Sequence, residues 1–336
     1  MRPFRFLLVL PVLTAAVFVS SAGASQIVST STVSGISLQL NAKGEALLSY
    51  RAGGKPVHVL VWGAVNAVAT KPGARQAAFQ LDYSGGYQKY FLHNREAQAL
   101  ARRYHRIKGT PGYLTSPVVK KLQALQQAAD NYWTTFHGGC GAYSGPALAW
   151  KVVACKAPDG SYWAVQSWQR QLPDYGLPAN AKTGAWEVHL SHWTGALPVL
   201  TVNTDWSWHQ WNHLYGTFTY NGVPVFGLAS TSAGHPLDSF GRNLYLDTFD
   251  SAYGKGWKRE NSFLTHRGDG VFCYSVNPHP GHPAGNGSEY RATIMGPGVT
   301  PDVEWQGPAP GRYDKTTDAQ RNLAISGLHD TLCRPN

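Results

Sequence analysis

Residues 217–228 read TFTYNGVPVFGL and indicate the fold of the chain more clearly than any other stretch. Two apolar runs flank Asn221-Gly222, and Asn-Gly is the strongest short-range signal for a tight turn between antiparallel strands. We therefore expect a hairpin with strands at 217–220 and 223–228. Further short strand patterns follow between turns rich in Gly and Pro, at 244–246, 271–276, 290–295 and 303–305. This alternation predicts antiparallel sheets in the C-terminal half.

The N-terminal half carries a similar pattern, interrupted by one helical region. Ile36, Leu38 and Leu40 alternate with polar residues, which is the period of a half-buried strand. Strand patterns continue at 47–50, 57–62, 79–83, 161–172 and 186–193. Between them, Asn94 and Ser116 are good N-caps for two helices with apolar residues at helical spacing. The sequence thus predicts a mainly β protein, an antiparallel sandwich-like double sheet or sheets, with a small helical insertion at about 95–131.

The first 24 residues have the composition of a secretory signal. Arg2 and Arg5 precede the apolar run 6–19, and Ala22-Gly23-Ala24 supplies the small residues of a cleavage site. The apolar run is shorter than the roughly 20 residues of a membrane span, so we expect no permanent span after cleavage. A retained N-terminal anchor is the alternative. The predicted organisation is a signal at 1–24 and β-rich regions at 25–200 and 201–336, which are separate or form one continuous domain.

Four cysteines in an exported chain indicate two disulfides. Cys140 with Cys155 and Cys273 with Cys333 are the expected pairs, one of three possible pairings. The CxxC and CxxH spacings of metal or redox sites are absent, so these cysteines are interpreted as structural. The expected location is extracellular or in the cell envelope.

The charge balance favours anionic partners. The chain has a net charge of +10, and removal of the signal with its two arginines leaves +8. Outside the cell, a basic protein meets wall polymers, acidic polysaccharides and phosphate-bearing surfaces. The basic first helix could dock such a polyanion, although a solvated charged face is the ordinary alternative. A nucleic-acid partner is not expected, and the sequence does not predict the oligomeric state.

Residues 241–267, GRNLYLDTFDSAYGKGWKRENSFLTHR, hold the densest group of ionisable side chains. Asp247 and Asp250 are three positions apart, and on a strand they would face opposite sides. Asp247 with Glu260 is the better carboxylate pair for a glycoside hydrolase, with His266 as a third candidate catalytic group. The structural alternative is a network in which these acids form ion pairs with the basic residues of the same stretch. Those residues are Arg242, Lys258, Arg259 and Arg267.

Residues 205–213, DWSWHQWNH, form the second candidate stretch. On a helix, Asp205, His209 and His213 would share one face and offer three metal ligands. The glutamate of an HExxH motif is missing, so we predict no metal and keep these three as weak candidates only. Three tryptophans in six positions favour either packing in the core or stacking on sugar rings.

Motifs of nucleophilic and nucleotide chemistry are absent, since the chain has no GxSxG elbow and no GxGxxG or GxxxxGK[ST] loop. No cofactor is expected. The predicted function is that of an exported protein which binds carbohydrate or an anionic envelope polymer through an aromatic and basic surface. A secreted glycoside hydrolase that uses Asp247 and Glu260 is the first alternative, and a structural envelope protein without a pocket is the second. The expected ligand-binding residues are Trp206, Trp208, Trp211, Arg242, Tyr253, Trp257 and Lys258.

Overall fold

The computed structural model describes most of the chain after the predicted signal: residues 25–65, 77–145, 147–170, 178, 180, 184–220, 222–224, 242–263, 269–277, 287–331 and 333–335. Residues 1–24, His266 and the hairpin positions 225–228 lie outside the described residues. Within the described part, the backbone forms four antiparallel sheets with few helices. The predicted mainly β fold is confirmed.

Two sheets of the N-terminal half face each other. Sheet 1 contains, in spatial order, β1 (Gln26–Ser29), β9 (Ala185–Trp193), β8 (Tyr162–Arg170), β7 (Lys151–Lys156) and β6 (Gly141–Ala142). Sheet 2 is a meander of β2 (Val33–Leu40), β3 (Glu45–Ala52), β4 (Lys55–Gly63) and β5 (Phe79–Asp82). Alternate residues of both sheets point inward and share one hydrophobic core, here called the first sandwich. Its buried members include Leu48, Val59, Trp163, Val165 and Leu190.

The C-terminal half repeats this architecture. Sheet 3 contains β10 (Val199–Ser207), β11 (Trp211–Tyr220) and β12 (Val223–Pro224), with β15 (Val271–Val276) also paired to β11. Sheet 4 has the order β14 (Gly254–Phe263), β13 (Leu244–Ser251), β16 (Glu289–Ile294) and β17 (Val303–Pro308). The buried residues between them form the second sandwich, and include Leu214, Phe218, Leu246, Phe272 and Tyr290.

The hairpin predicted at Asn221-Gly222 is present. Tyr220 pairs with Val223, and Thr219 pairs with Pro224. Gly222 has a φ of 72°, a left-handed conformation that glycine adopts without steric cost. The turn residue therefore ends β11 at the position where the sequence predicts it.

The helical insertion is confirmed as a pair of helices, α1 (Arg95–Ile107) and α2 (Pro117–Asp130). The Asn94 side chain accepts hydrogen bonds from the first turn of α1, and Ser116 accepts one from Val119 N in α2. Short helical turns at Gln88–Leu92, Tyr113–Thr115 and Tyr132–Thr134 flank these helices. Buried Glu45 joins the insertion to sheet 2, because it bonds Lys89, Tyr90 and Tyr132.

A third helix, α3 (Lys315–Ser326), follows the last strand and was not predicted from the sequence. Asp314 caps it by accepting a hydrogen bond from Thr317 N, and Ile325 packs against Tyr215 and Val271 of sheet 3. No helix in the described part of the chain has the length and apolar composition needed to span a bilayer.

Both expected disulfides are confirmed, Cys140–Cys155 and Cys273–Cys333. The first joins the segment before β6 to β7, and the second joins β15 to the segment after α3. Two disulfides are typical of a protein outside the cytoplasm.

Candidate functional site

Residues 205–213 form the tip of the β10–β11 hairpin rather than a helix. Asp205 lies directly opposite His213, and Ser207 lies opposite Trp211. The turn between them holds Trp208 and His209 at φ values of 51° and 56°. Pairing of β11 with both β10 and β15 satisfies the backbone hydrogen bonds, which is why the strand conformation prevails over the helical spacing.

The three weak metal candidates are only partly brought together. His213 Nδ1 donates to Asp205 Oδ1 at 2.6 Å, and Asp205 is completely buried. His209 is turned toward α3, where its Nε2 lies 3.9 Å from Asp318. A ring nitrogen of His213 is instead within 4.8 Å of both sulfur atoms of Cys273 and Cys333. Because these sulfur atoms are joined in a disulfide, they are not the thiolates that a zinc site requires.

A groove of about 430 Å³ opens beside this hairpin tip, and we call it the tip groove. Trp208 stands at its rim with 76% of its surface exposed. Ser207 lies at its wall, and the buried Ser207 Oγ has no hydrogen-bond partner among the described residues. The tip groove is lined by Ser207, Trp208, His213, Cys273, Tyr274, Ser275, Arg334 and Pro335.

Sequence reasoning missed Arg334 as a site residue, although a signal for it exists. Arg334 directly follows Cys333, and the Cys273–Cys333 disulfide fixes Cys333 against β15. The same disulfide that was predicted therefore places an exposed guanidinium at the groove. Ser275 carries no such signal, because it reaches the groove through the pairing of β15 with β11, where it lies opposite His213.

The other predicted aromatic residues are less accessible than Trp208. Trp206 is buried, and its Nε1 donates to Gly311 O at 3.1 Å. Its ring meets Tyr313 edge-on, so it anchors the segment that leads into α3. Tyr253 is buried, whereas Trp211 and Trp257 are half-buried.

The predicted ligand residues lie in two different sheets. Trp206 to Trp211 belong to sheet 3, whereas Arg242 precedes β13 and Lys258 lies on β14 of sheet 4. Arg242 is buried, with its Nη2 donating to the Tyr245 hydroxyl at 3.4 Å, and Lys258 is half-buried. The tip groove contains Trp208 alone from the predicted set.

Asp247 forms a buried ion pair with two arginines. Arg259 Nε donates to Asp247 Oδ1 at 2.5 Å, and Arg291 Nη2 donates to Oδ2 at 3.2 Å. The Arg291 guanidinium lies 4.1 Å from the ring centre of Trp150 and 4.2 Å from that of Trp257. Both carboxylate oxygens are thus engaged by cations; Arg259 is one of the partners named in the structural alternative, and Arg291 is not.

Glu260 has a different environment from Asp247. It is completely buried, and the Tyr274 hydroxyl of sheet 3 donates to its Oε1 at 3.5 Å. Burial raises the pKa of Glu260 to about 8, and hydrogen bonds from Tyr274 and Tyr253 oppose part of this rise. The two proposed catalytic carboxylates therefore have separate partners. The third candidate, His266, lies outside the described residues.

Comparison with known proteins gives no relative from which a function could be transferred: no family model, curated protein or solved structure matches the chain at a significant level.

Proposed function

We propose that the protein binds an acidic glycan, a polymer of sugar rings that carry carboxylate or phosphate groups, in the tip groove. The observation that carries the proposal is the position of Trp208. Its indole is 76% exposed on a turn whose backbone is left-handed at two successive non-glycine residues. Such backbone strain costs on the order of 1 kcal/mol per residue and concentrates at functional sites. An exposed indole beside a groove offers an apolar face on which a sugar ring can stack.

The polar groups of the tip groove fit an anionic sugar. Arg334 presents a guanidinium, the group best suited to pair with carboxylate or phosphate. Ser207 contributes a buried hydroxyl without a partner among the described residues, and His213 is oriented by Asp205. A volume of about 430 Å³ lies within the range of small-ligand sites, roughly 300–1,000 Å³.

The two alternatives receive less support. A retaining or inverting glycoside hydrolase needs two carboxyl groups that face one sugar bond, whereas Asp247 is bound by Arg259 and Arg291, and Glu260 faces Tyr274. A structural protein without a pocket would have no use for an exposed indole at a groove. We therefore rank binding above both.

The test is to compare Trp208→Ala with a matched control, Trp186→Ala. Trp186 is also exposed, at 40%, but lies on β9 of sheet 1. Calorimetric titration would use three probes: a uronic-acid polymer, a phosphate-linked polyol polymer and a neutral glucan. We expect binding of at least one anionic probe, weakened about tenfold or more in Trp208→Ala, a change of about 1.4 kcal/mol.

The control variant should bind like the wild type, and both variants should unfold at the wild-type temperature. Equal affinity of Trp208→Ala and the wild type would refute the role of the tip groove. Binding of the neutral glucan alone would refute the acidic nature of the ligand.

A further inference from the structure

His213 and the Cys273–Cys333 disulfide meet on the outer face of sheet 3. Leu214 and Phe272 point into the second sandwich. Because side chains alternate between the two faces of a strand, the neighbouring His213 and Cys273 point away from that core. Cys333 reaches the same face from the segment after α3, where the disulfide holds it. β11, β15 and the C-terminal segment therefore each bring one nitrogen or sulfur atom to this place.

The register of β11 and β15 brings these atoms close together. Ser275 lies opposite His213, and Cys273 lies opposite Tyr215, so His213 and Cys273 are diagonal neighbours on the sheet. Side chains in diagonal positions of paired strands are within reach of each other. A ring nitrogen of His213 and the sulfur atoms of Cys273 and Cys333 all lie within 4.8 Å of one another. Strand pairing and a disulfide thus fix the cluster.

Asp205 orients His213 in the way that suits a metal ligand. Asp205 is completely buried and lies opposite His213 on β10, and its Oδ1 accepts from His213 Nδ1 at 2.6 Å. A neutral ring with its proton on Nδ1 carries its lone pair on Nε2, which is then the nitrogen available to a metal. Histidine ligands usually donate their other N–H to a carboxylate, which fixes the ring and makes it more basic. Only the sulfur atoms are in the wrong chemical state.

The distances fit a zinc ion once the disulfide is open. Zinc binds sulfur at about 2.3 Å and nitrogen at about 2.0–2.1 Å, so tetrahedral angles place the ligand atoms about 3.5–3.8 Å apart. No separation in this cluster exceeds 4.8 Å. Rotation of the two cysteine side chains about their Cα–Cβ bonds would therefore complete the geometry without a change of the sheet.

A reductant can reach the disulfide from the tip groove. Cys273 and His213 both line this groove, and Cys273 is half-buried, whereas Cys333 is only 2% exposed. Thiol–disulfide exchange begins when a thiolate attacks one sulfur atom, and access decides which one. Behind the disulfide lies an apolar wall that includes Val271 and Ile325. An apolar shell of this kind limits the access of solvent to a metal site.

We propose that reduction of Cys273–Cys333 converts this cluster into a zinc site whose ligands are the two thiolates and His213 Nε2. A dithiol supplies the two electrons and two protons that open the disulfide, and it becomes a disulfide itself. Zinc then replaces the two thiol protons, which pass to solvent. Three protein ligands leave the fourth tetrahedral position to a water molecule or to a group that enters from the tip groove.

The C-terminal segment is then held in both redox states. A covalent bond attaches it to β15 in the oxidised chain, and zinc attaches it to β11 and β15 in the reduced chain. Arg334, which directly follows Cys333, thereby stays beside the tip groove when the disulfide is open. The zinc site does not depend on glycan binding, because neither its ligands nor its test involves a glycan.

The test adds cobalt(II), a spectroscopic substitute for zinc, to the protein before and after a phosphine reductant has opened both disulfides. We expect the reduced protein to bind one equivalent of cobalt with a sulfur-to-cobalt charge-transfer band, and the oxidised protein to show no such band. One equivalent of zinc should displace the cobalt and abolish the band. Zinc should also raise the unfolding temperature of the reduced protein by several degrees and leave that of the oxidised protein unchanged.

Variants of the reduced protein identify the ligands. Replacement of both Cys273 and Cys333 by Ala should abolish the charge-transfer band. His213→Gln should weaken zinc binding about tenfold or more, because it removes the only nitrogen ligand. Asp205→Asn leaves all three ligands in place but removes the carboxylate behind His213, and loss of such a partner typically weakens metal binding about 10- to 100-fold.

The matched control replaces Cys140 and Cys155 by Ala, and it should keep the band and the zinc affinity of the wild type. Should a ligand variant fail to fold, alkylation of the reduced wild type with iodoacetamide replaces it. Zinc should slow the alkylation of Cys273 and Cys333 and leave that of Cys140 and Cys155 unchanged, as peptide mass spectrometry would show. The proposal would be overturned by a reduced wild type without the band, by loss of the band in the control, by full zinc affinity in His213→Gln, or by zinc-independent alkylation of Cys273 and Cys333.

Discussion

Glu260 is a buried carboxyl group whose protonation is coupled to folding. Its pKa is about 8 in the folded chain, raised by burial from an ordinary value of 4.5. Between these two values, the folded chain holds a proton that the unfolded chain has lost. Stability must therefore fall as the pH rises from about 4.5 to about 8, and level off above that.

We expect Glu260→Gln to remove this pH dependence, because the amide cannot ionise. The variant should be more stable than the wild type at pH 8 by several kcal/mol, since each pKa unit corresponds to about 1.4 kcal/mol. At pH 4 the two proteins should be nearly equal. Urea unfolding between pH 4 and pH 9 measures the difference.

The matched control for this prediction is Glu96→Gln. Glu96 is an exposed carboxylate that pairs with Lys121 between α1 and α2, and exposed pairs contribute about 0–1 kcal/mol. Its stability curve should follow that of the wild type at every pH. Parallel curves for Glu260→Gln and the wild type would show that Glu260 is already ionised in the folded protein.

The ion pairs of Asp247 show how far residue-level reasoning extends. Arg259 was among the predicted partners because it lies in the same stretch as Asp247. In the structure it lies opposite Asp247 on β14. Arg291, 44 positions further along the chain, faces Asp247 because β16 pairs with the other edge of β13. No local pattern contains that pairing, so the second cation could not be predicted.

At the level of elements, the β10–β11 hairpin shows why one spacing supports two interpretations. Asp205 and His213 are eight positions apart, a separation that places them on the same face of a helix and, when the chain turns midway between them, opposite each other on two paired strands. The turn at Trp208 and His209 lacks glycine, so the usual hairpin signal is missing. By contrast, Asn221-Gly222 carries the hairpin signal, and the turn there was predicted. Asn94 and Ser116 are typical N-cap residues, and both helix starts were predicted.

The two disulfides are expected to contribute unequally to stability, because they close loops of different length. Cys273–Cys333 closes a separation of 60 residues and Cys140–Cys155 one of 15. In the chain-entropy model these loops correspond to about 4 and about 3 kcal/mol of stability. We expect replacement of both cysteines of the longer bridge by Ala to destabilise the protein more in urea unfolding.

Only the longer bridge holds Arg334 and Pro335 at the tip groove. Its removal should therefore also weaken glycan binding, whereas removal of Cys140 and Cys155 should leave the affinity of the folded protein unchanged. Equal affinities of the two double variants for the glycan would show that the C-terminal segment with Arg334 is not part of the ligand site.

For the whole molecule, the class of the fold could be predicted but the arrangement of its strands could not. Alternating patterns and turn residues identify strands one at a time, because they report local burial. The order of sheet 1 depends instead on β1 pairing with β9, about 160 positions away. The facing of sheet 3 on sheet 4 likewise arises from packing between distant apolar residues such as Phe218 and Tyr290. These contacts leave no signal in a single sequence.

The positively charged residues are unevenly distributed along the chain. Residues 94–131, the helical insertion, contain seven lysines and arginines against two acidic residues, a net +5 out of +10 for the whole chain. Arg102, Arg103 and Arg106 on α1 are all exposed. Concentrated positive charge raises the rate at which a protein encounters a polyanion, and it does so even when the charged residues do not touch the bound polymer.

We therefore expect the triple variant of Arg102, Arg103 and Arg106 to Gln to associate severalfold more slowly with an anionic glycan in about 0.01 M salt, where the Debye length is about 30 Å. In about 1 M salt, where it is about 3 Å, the rates should converge. Stopped-flow measurement gives both rates, and the dissociation rate should change little. The control replaces three exposed and scattered lysines by Gln, Lys55, Lys156 and Lys315. Because both variants lose three charges, equal slowing in the two would mean that total charge, and not the helical insertion, attracts the polymer.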